Sequence, residues 1–266
     1  MKKFIWVLAA AAALSMSSCQ KEDNTPAVDA NVETAVDGDE VDGMYADVSN
    51  EVDQVTLGVK AGNAPDSSGN RVVTTVKNAD GSFIKTVTYT NWKIGKNQRW
   101  VKNGQIIVTV TPATFTRKVE FVNFTINNRK IEGIKTMVLN PQTNTLTITL
   151  ENGKVTFSDG TTFTHSFTKV WTKVKGADTP LNLWDDEYDI TVNATGTNRR
   201  GKAYTETTNT PLHLKATWPV FVSGEVKRVV DNHTIVTNYG DGAEDFIVTV
   251  TVDGVAKQIN LLDFKK

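Results

Sequence analysis

The chain predicts an all-β, antiparallel protein built from hairpins, and three observations carry that expectation. From Arg71 onward Val, Thr, Ile and Phe alternate with polar residues in runs of about five to nine. Asn-Gly and Asp-Gly pairs, which accept the positive φ angles of two-residue turns, interrupt those runs. No segment after residue 70 reads as a long helix. A β-sandwich and a long meandering sheet both satisfy the pattern. Strands that are apolar on one face only favour the sandwich.

Taken in order, the first element is a leader. Lys2 and Lys3 precede an uncharged apolar stretch, Phe4 to Leu14. That stretch is too short to span a bilayer as a helix, which needs about 20 residues. A basic start, a short apolar run and small residues (Ser17, Ser18) form the anatomy of a secretory signal peptide. Cys19, the single cysteine, follows at once. The stretch resembles a bacterial lipobox, although Met16 stands where leucine is usual. The resemblance implies removal of residues 1–18 and acylation of Cys19. Two or more acyl chains, at about 0.8 kcal/mol per buried methylene, give stable anchoring. Gln20-Lys21-Glu22-Asp23 resembles the export signal that sends Bacteroidetes lipoproteins to the outer face of the outer membrane.

Charge divides the remainder. Residues 20–56 hold eleven acids and one base, whereas residues 57–266 hold nineteen acids and twenty-six bases. Residues 19–40 therefore read as an extended acidic tether that holds the body away from an anionic surface. Val41, Tyr45, Val48, Val52 and Val55 fall at helical spacing, which predicts a short amphipathic helix over 41–56, with Gly38 and Gly43 limiting its start. Residues 57–70 form a loop, and 71–266 form the antiparallel β domain. The basic excess there is dispersed along the strands and reads as solvated outer faces.

Three hairpins are specific. In "LTITLENGKVTF" (146–157) a turn at Asn152-Gly153 pairs Glu151 with Lys154, Leu150 with Val155 and Ile148 with Phe157. A three-residue loop, Ser158-Asp159-Gly160, sets Val155 against Phe163, with Gly160 left-handed. In "VTVTVDGVAKQI" (248–259) a turn at Asp253-Gly254 matches Val252 to Val255 and Val248 to Ile259. Residues 140–144 form a further loop, and Gly196 and Gly201 bracket another.

"GQIIVTV" (104–110), "FTINNRKIEGIKT" (124–136), "ITLENGKVTFSDGTTFT" (148–164), "DDEYDI" (185–190), "GTNRRGKAY" (196–204), "VSGEV" (222–226) and "NYGDGAED" (238–245) resemble blocks of a family of uncharacterised Bacteroidetes outer-membrane lipoproteins. The resemblance implies a β-rich surface lipoprotein and assigns no activity. Family members tend to carry cysteines where this chain has Ala216 and Glu244, so any cross-link they form is missing.

No pattern in the chain specifies a catalytic site, a cofactor or a metal. Asp185, Asp186, Glu187 and Asp189 form the densest acidic cluster. Four carboxylates could hold calcium, but their spacing matches no calcium loop, and an acidic loop entering a strand accounts for them. "NYGDGAED" reads as a glycine turn. His165 shares a face with Phe163 and Phe167 and reads as a hydrogen-bonded core or edge residue. His213 points away from Leu212 and Leu214, and His233 sits in a turn. None has zinc-ligand spacing, and neither a nucleophile elbow nor a phosphate-binding glycine loop occurs. Trp92, Trp100, Trp171, Trp184 and Trp218 either fill the core or, if exposed, stack on sugars. The expectation is a non-enzymatic, lipid-anchored envelope protein with a structural or binding role, tied to the outer membrane and without nucleic acid. The alternatives are a carbohydrate-binding accessory lipoprotein facing extracellular glycan and a polysaccharide hydrolase or lyase with two carboxylates across a cleft.

Overall fold

The computed structural model describes residues 26–57, 68–93, 100–179, 185–218 and 220–261. The expected signal peptide and Cys19 lie outside the described residues, as does Trp184. One helix, α1 (Pro26–Leu57), precedes the strands β1 (Ser68–Lys77), β2 (Phe83–Lys93), β3 (Val101–Thr111), β4 (Thr116–Ile126), β5 (Arg129–Asn140), β6 (Thr145–Thr156) and β7 (Thr162–Lys175). They continue as β8 (Glu187–Thr197), β9 (Ala203–Lys215), β10 (Ser223–Val230), β11 (His233–Asp241), β12 (Ile247–Val252) and β13 (Val255–Asn260).

These strands form a single sheet in sequence order, each antiparallel to the next. The all-β expectation holds as a meander, not as the favoured sandwich. The reason is what covers the apolar face. Val87, Ile106, Val119, Phe124, Ile131, Leu150, Phe163 and Ile190 point to one side, and α1 lies against it instead of a second sheet. Val41, Met44, Tyr45, Val48, Val52 and Val55 of α1 are all buried, in the i, i+3, i+4, i+7 spacing of one helical stripe. Burying six such side chains contributes on the order of 10 kcal/mol.

α1 begins at Pro26 rather than residue 41, so it occupies most of the stretch read as a tether. Proline suits that first position, where its missing N–H has no helical partner to lose. Gly38 does not limit the helix. It lets the Arg228 guanidinium come against the helix backbone, where a Cβ would stand 2.8 Å from the nearest arginine nitrogen. Glycine costs a helix interior about 1 kcal/mol relative to alanine, a cost this close approach explains.

The sheet bends around α1 through β-bulges. Register shifts fall at Asn91, Gly104, Asn123, Gly133 and Asn152-Gly153, and again at Gly224. The hairpin expected at Asn152-Gly153 does not form; β6 runs through the pair, with Asn152 left-handed at φ 51°. Val155 pairs with Ile131 on one side and Phe163 on the other, and Leu150 pairs with Lys135 and Phe167. The same positive-φ chemistry that makes a type I′ turn makes a bulge when both flanking strands already have neighbours. Gly153 is required for a second reason, since a Cβ there would lie 2.2 Å from the His165 carbonyl oxygen.

The other two hairpins fold as read. Val155 faces Phe163 across the Ser158–Gly160 loop, with Gly160 at φ 83°. Val252 faces Val255 and Val248 faces Ile259 across Asp253-Gly254.

Candidate functional site

The concave side of the sheet carries an ionic seam along α1. The helix has nine acids and no base. Asp37 pairs with Arg199 (3.2 Å), Glu40 with Arg129 (2.9 Å), and Asp42 with both Lys169 (2.8 Å) and His165 Nε2 (3.0 Å). Further along, Asp47 (2.7 Å) and Glu51 (3.1 Å) share Lys102, Glu51 also meets Arg71, and Asp53 meets Arg117. The basic surplus of the body is thus partly turned inward to the helix. Opposite charge at helical spacing on 37, 40, 47 and 51, set beside a basic body, was the sequence signal for this seam.

Polar groups between the charges are paired as well. The Tyr45 hydroxyl donates to the Glu132 carbonyl (2.7 Å), at the bulge that Gly133 makes. Lys135, buried beneath the helix, donates to the Tyr45 carbonyl (2.5 Å) and to Ser49 Oγ. Burial, with Lys169 nearby, pulls the Lys135 amine down to about 7 against the opposing pull of Asp42 and Asp53. Burial by itself would raise Asp42, but Lys169 and His165 outweigh it and hold the carboxyl well below the usual range. Burial pushes the Tyr45 hydroxyl well above its ordinary value.

Helix coverage is uneven. Beside Asp42, Gly43 and Ala46, the small side chains of α1 leave a cavity of about 440 Å³ against β7–β11. Its walls include Trp171, Ile190, Leu212, Phe221 and Tyr239. Its polar end carries Asp42 with Lys169 and, on the sheet, Glu206 with Arg228, where the guanidinium Nε donates at 2.8 Å. A Cβ placed on Gly43 would meet nothing within 4 Å.

The acidic cluster disperses rather than converging. Asp186 is buried and accepts from Lys173 (2.7 Å) and Tyr188 (2.8 Å); Asp185 accepts from Thr179 (2.8 Å). Glu187 takes Lys175 (2.8 Å), and His213 bridges Glu187 (3.1 Å) and Asp189 (2.8 Å). Among the described residues, no group of three or more His, Cys, Asp or Glu side chains could hold a metal. His165 is the buried histidine, its Nδ1 2.6 Å from the Tyr204 hydroxyl, and His233 lies 2.5 Å from Asp253. The segment 238–245 is a turn only in its second half, because 238–241 close β11; there Asn238 Oδ1 accepts from the Gly240 N–H (2.9 Å). The segments around Ala216 and Glu244 are neighbours, joined by Lys215–Glu244 (3.0 Å) and by Trp218 against Phe246.

Trp92, Trp100, Trp171 and Trp218 are half-buried, the first three packed on the core. The outer face has a shallow trough over β6–β8 lined by Thr149, Ser166, Thr168, Thr191, Asn193 and Thr195. No family model, curated protein or solved structure matches the chain.

Proposed function

We propose that the protein is a lipid-anchored, non-catalytic component of the outer membrane's outer face, acylated at Cys19, with a structural or binding role. The sequence setting of Cys19 supports the anchor. What supports the role is the place where α1 starts. Only residues 20–25 separate Cys19 from the helix, a reach of at most about 25 Å. A helix paired to five strands and one loop then links that short span to the sheet. The body is then carried within that reach of the bilayer, which suits a static envelope component. Mass spectrometry of the native protein is expected to find a chain beginning at diacylglyceryl-Cys19. Protease added to intact cells is expected to degrade it. A free thiol at Cys19, a retained leader, or full protection until the cells are permeabilised each defeats the proposal.

A glycan-binding reading draws its support from the hydroxyl- and amide-lined trough over β6–β8. Glycan arrays comparing the protein with Thr168→Ala and Asn193→Ala variants test it. Retention that both variants reduce is the expected result, and no retained glycan ends the reading.

A further inference from the structure

We infer that the cavity between α1 and the C-terminal half of the sheet is a binding site for an uncharged, largely hydrocarbon molecule, such as a long acyl chain ending in an ester. At about 440 Å³ it falls within the roughly 300–1,000 Å³ range of small-molecule pockets, and its walls are mainly aliphatic and aromatic. The space exists because α1 changes character along its length. Met44, Tyr45 and Val48 fill the sheet beside them, whereas Gly43 and Ala46 present almost nothing to β7–β11. A cavity of this size against apolar walls forfeits packing that a larger residue at 43 would supply. Gly43 also weakens the helix, so its position is costly twice over unless something else occupies the space.

Charge at the polar end selects the class of ligand. Lys169 and His165 both meet Asp42, and Arg228 pairs with Glu206, so each charged group of the lining already has a partner. A ligand carrying a carboxylate or an ammonium would bury a charge with no spare counter-charge, a severe cost in an apolar site. A neutral ester or amide head meets these dipolar pairs without breaking either. Trp171 forms part of the wall, so its fluorescence reports occupancy.

The test titrates the purified full chain with the uncharged probe N-phenyl-1-naphthylamine and displaces it with methyl oleate or with oleate at pH 9. Methyl oleate is expected to displace the probe at micromolar concentration, and oleate at least tenfold less well. A brominated methyl ester is expected to quench the wild type and to quench Trp171→Phe less. Gly43→Leu, which projects a side chain into the open space, is expected to weaken binding at least tenfold with an unchanged or higher melting temperature. If Gly43→Leu does not fold, Leu214→Trp fills the cavity from the sheet side and must give the same loss. No probe uptake, equal displacement by oleate, or full binding in whichever filled variant folds overturns the site or its ligand class.

Discussion

Lys135 is the residue at which burial and charge conflict most directly. Its amine sits under α1 with a carbonyl and a hydroxyl for partners and no carboxylate bonded to it. The folded state therefore prefers the neutral amine, at about 7, while the unfolded chain keeps its proton to about 10.4. Between those values the unfolded state binds more protons, so stability rises with pH. Chemical denaturation of the wild type should show a gain of up to about 4 kcal/mol from pH 7 to pH 10. Lys135→Met should lose that slope and be the more stable protein at pH 7; a slope equal to the wild type's would show that the amine stays charged in the fold. Gly153 is a second sensitive position for a steric reason. Gly153→Ala forces a methyl onto the His165 carbonyl, and a loss of about 2–4 kcal/mol is expected in urea melts.

Among the elements, the strands were legible in the sequence because those between the exposed β1 and β13 bury one face, and period-two alternation records that fact residue by residue. The Asp253-Gly254 turn was legible too, since little stands outside β12–β13 to compete with it. Asn152-Gly153 misled because turn and bulge use the same left-handed backbone, and only the neighbours on both sides of β6 decide between them. α1 was half legible: the valines from Val41 onward set the period, whereas Pro26, Gly38 and five acids made the first half read as a tether despite Val28, Val32 and Val36 at helical spacing. Ion pairs to bases far along the chain, such as Asp37 to Arg199, also hold it to the sheet. The candidate site was least legible, because the cavity is defined by what Gly43 and Ala46 omit. If α1 is the second layer of the core, a chain beginning at Ser68 should fail to unfold cooperatively on heating. A peptide of residues 26–57 added in trans should restore the transition. A cooperative transition without the peptide would show that the sheet is self-sufficient.

For the molecule as a whole, the two charge blocks of the sequence are two halves of one interior. Asp42 is held below its ordinary range, so the stability it supplies is complete above about pH 4 and is lost as pH falls below that value. Acidification should therefore release α1 before the strand pairing is lost, exposing the apolar concave face while the β signal persists. Enhanced fluorescence of anilinonaphthalene sulfonate near pH 3, with the helical part of the far-ultraviolet dichroism reduced and the β part retained, is the expected observation; simultaneous loss of helical and β signals would speak against a separable helix. The direction of α1 has a mechanical consequence. Its contacts are strung along about 29 Å of the helix axis, from Thr34 against Asn198 to Asp53 against Arg117. Tension applied to the amino end along that axis loads the whole row in shear, so the contacts resist together. The same force applied across the axis would peel them one at a time.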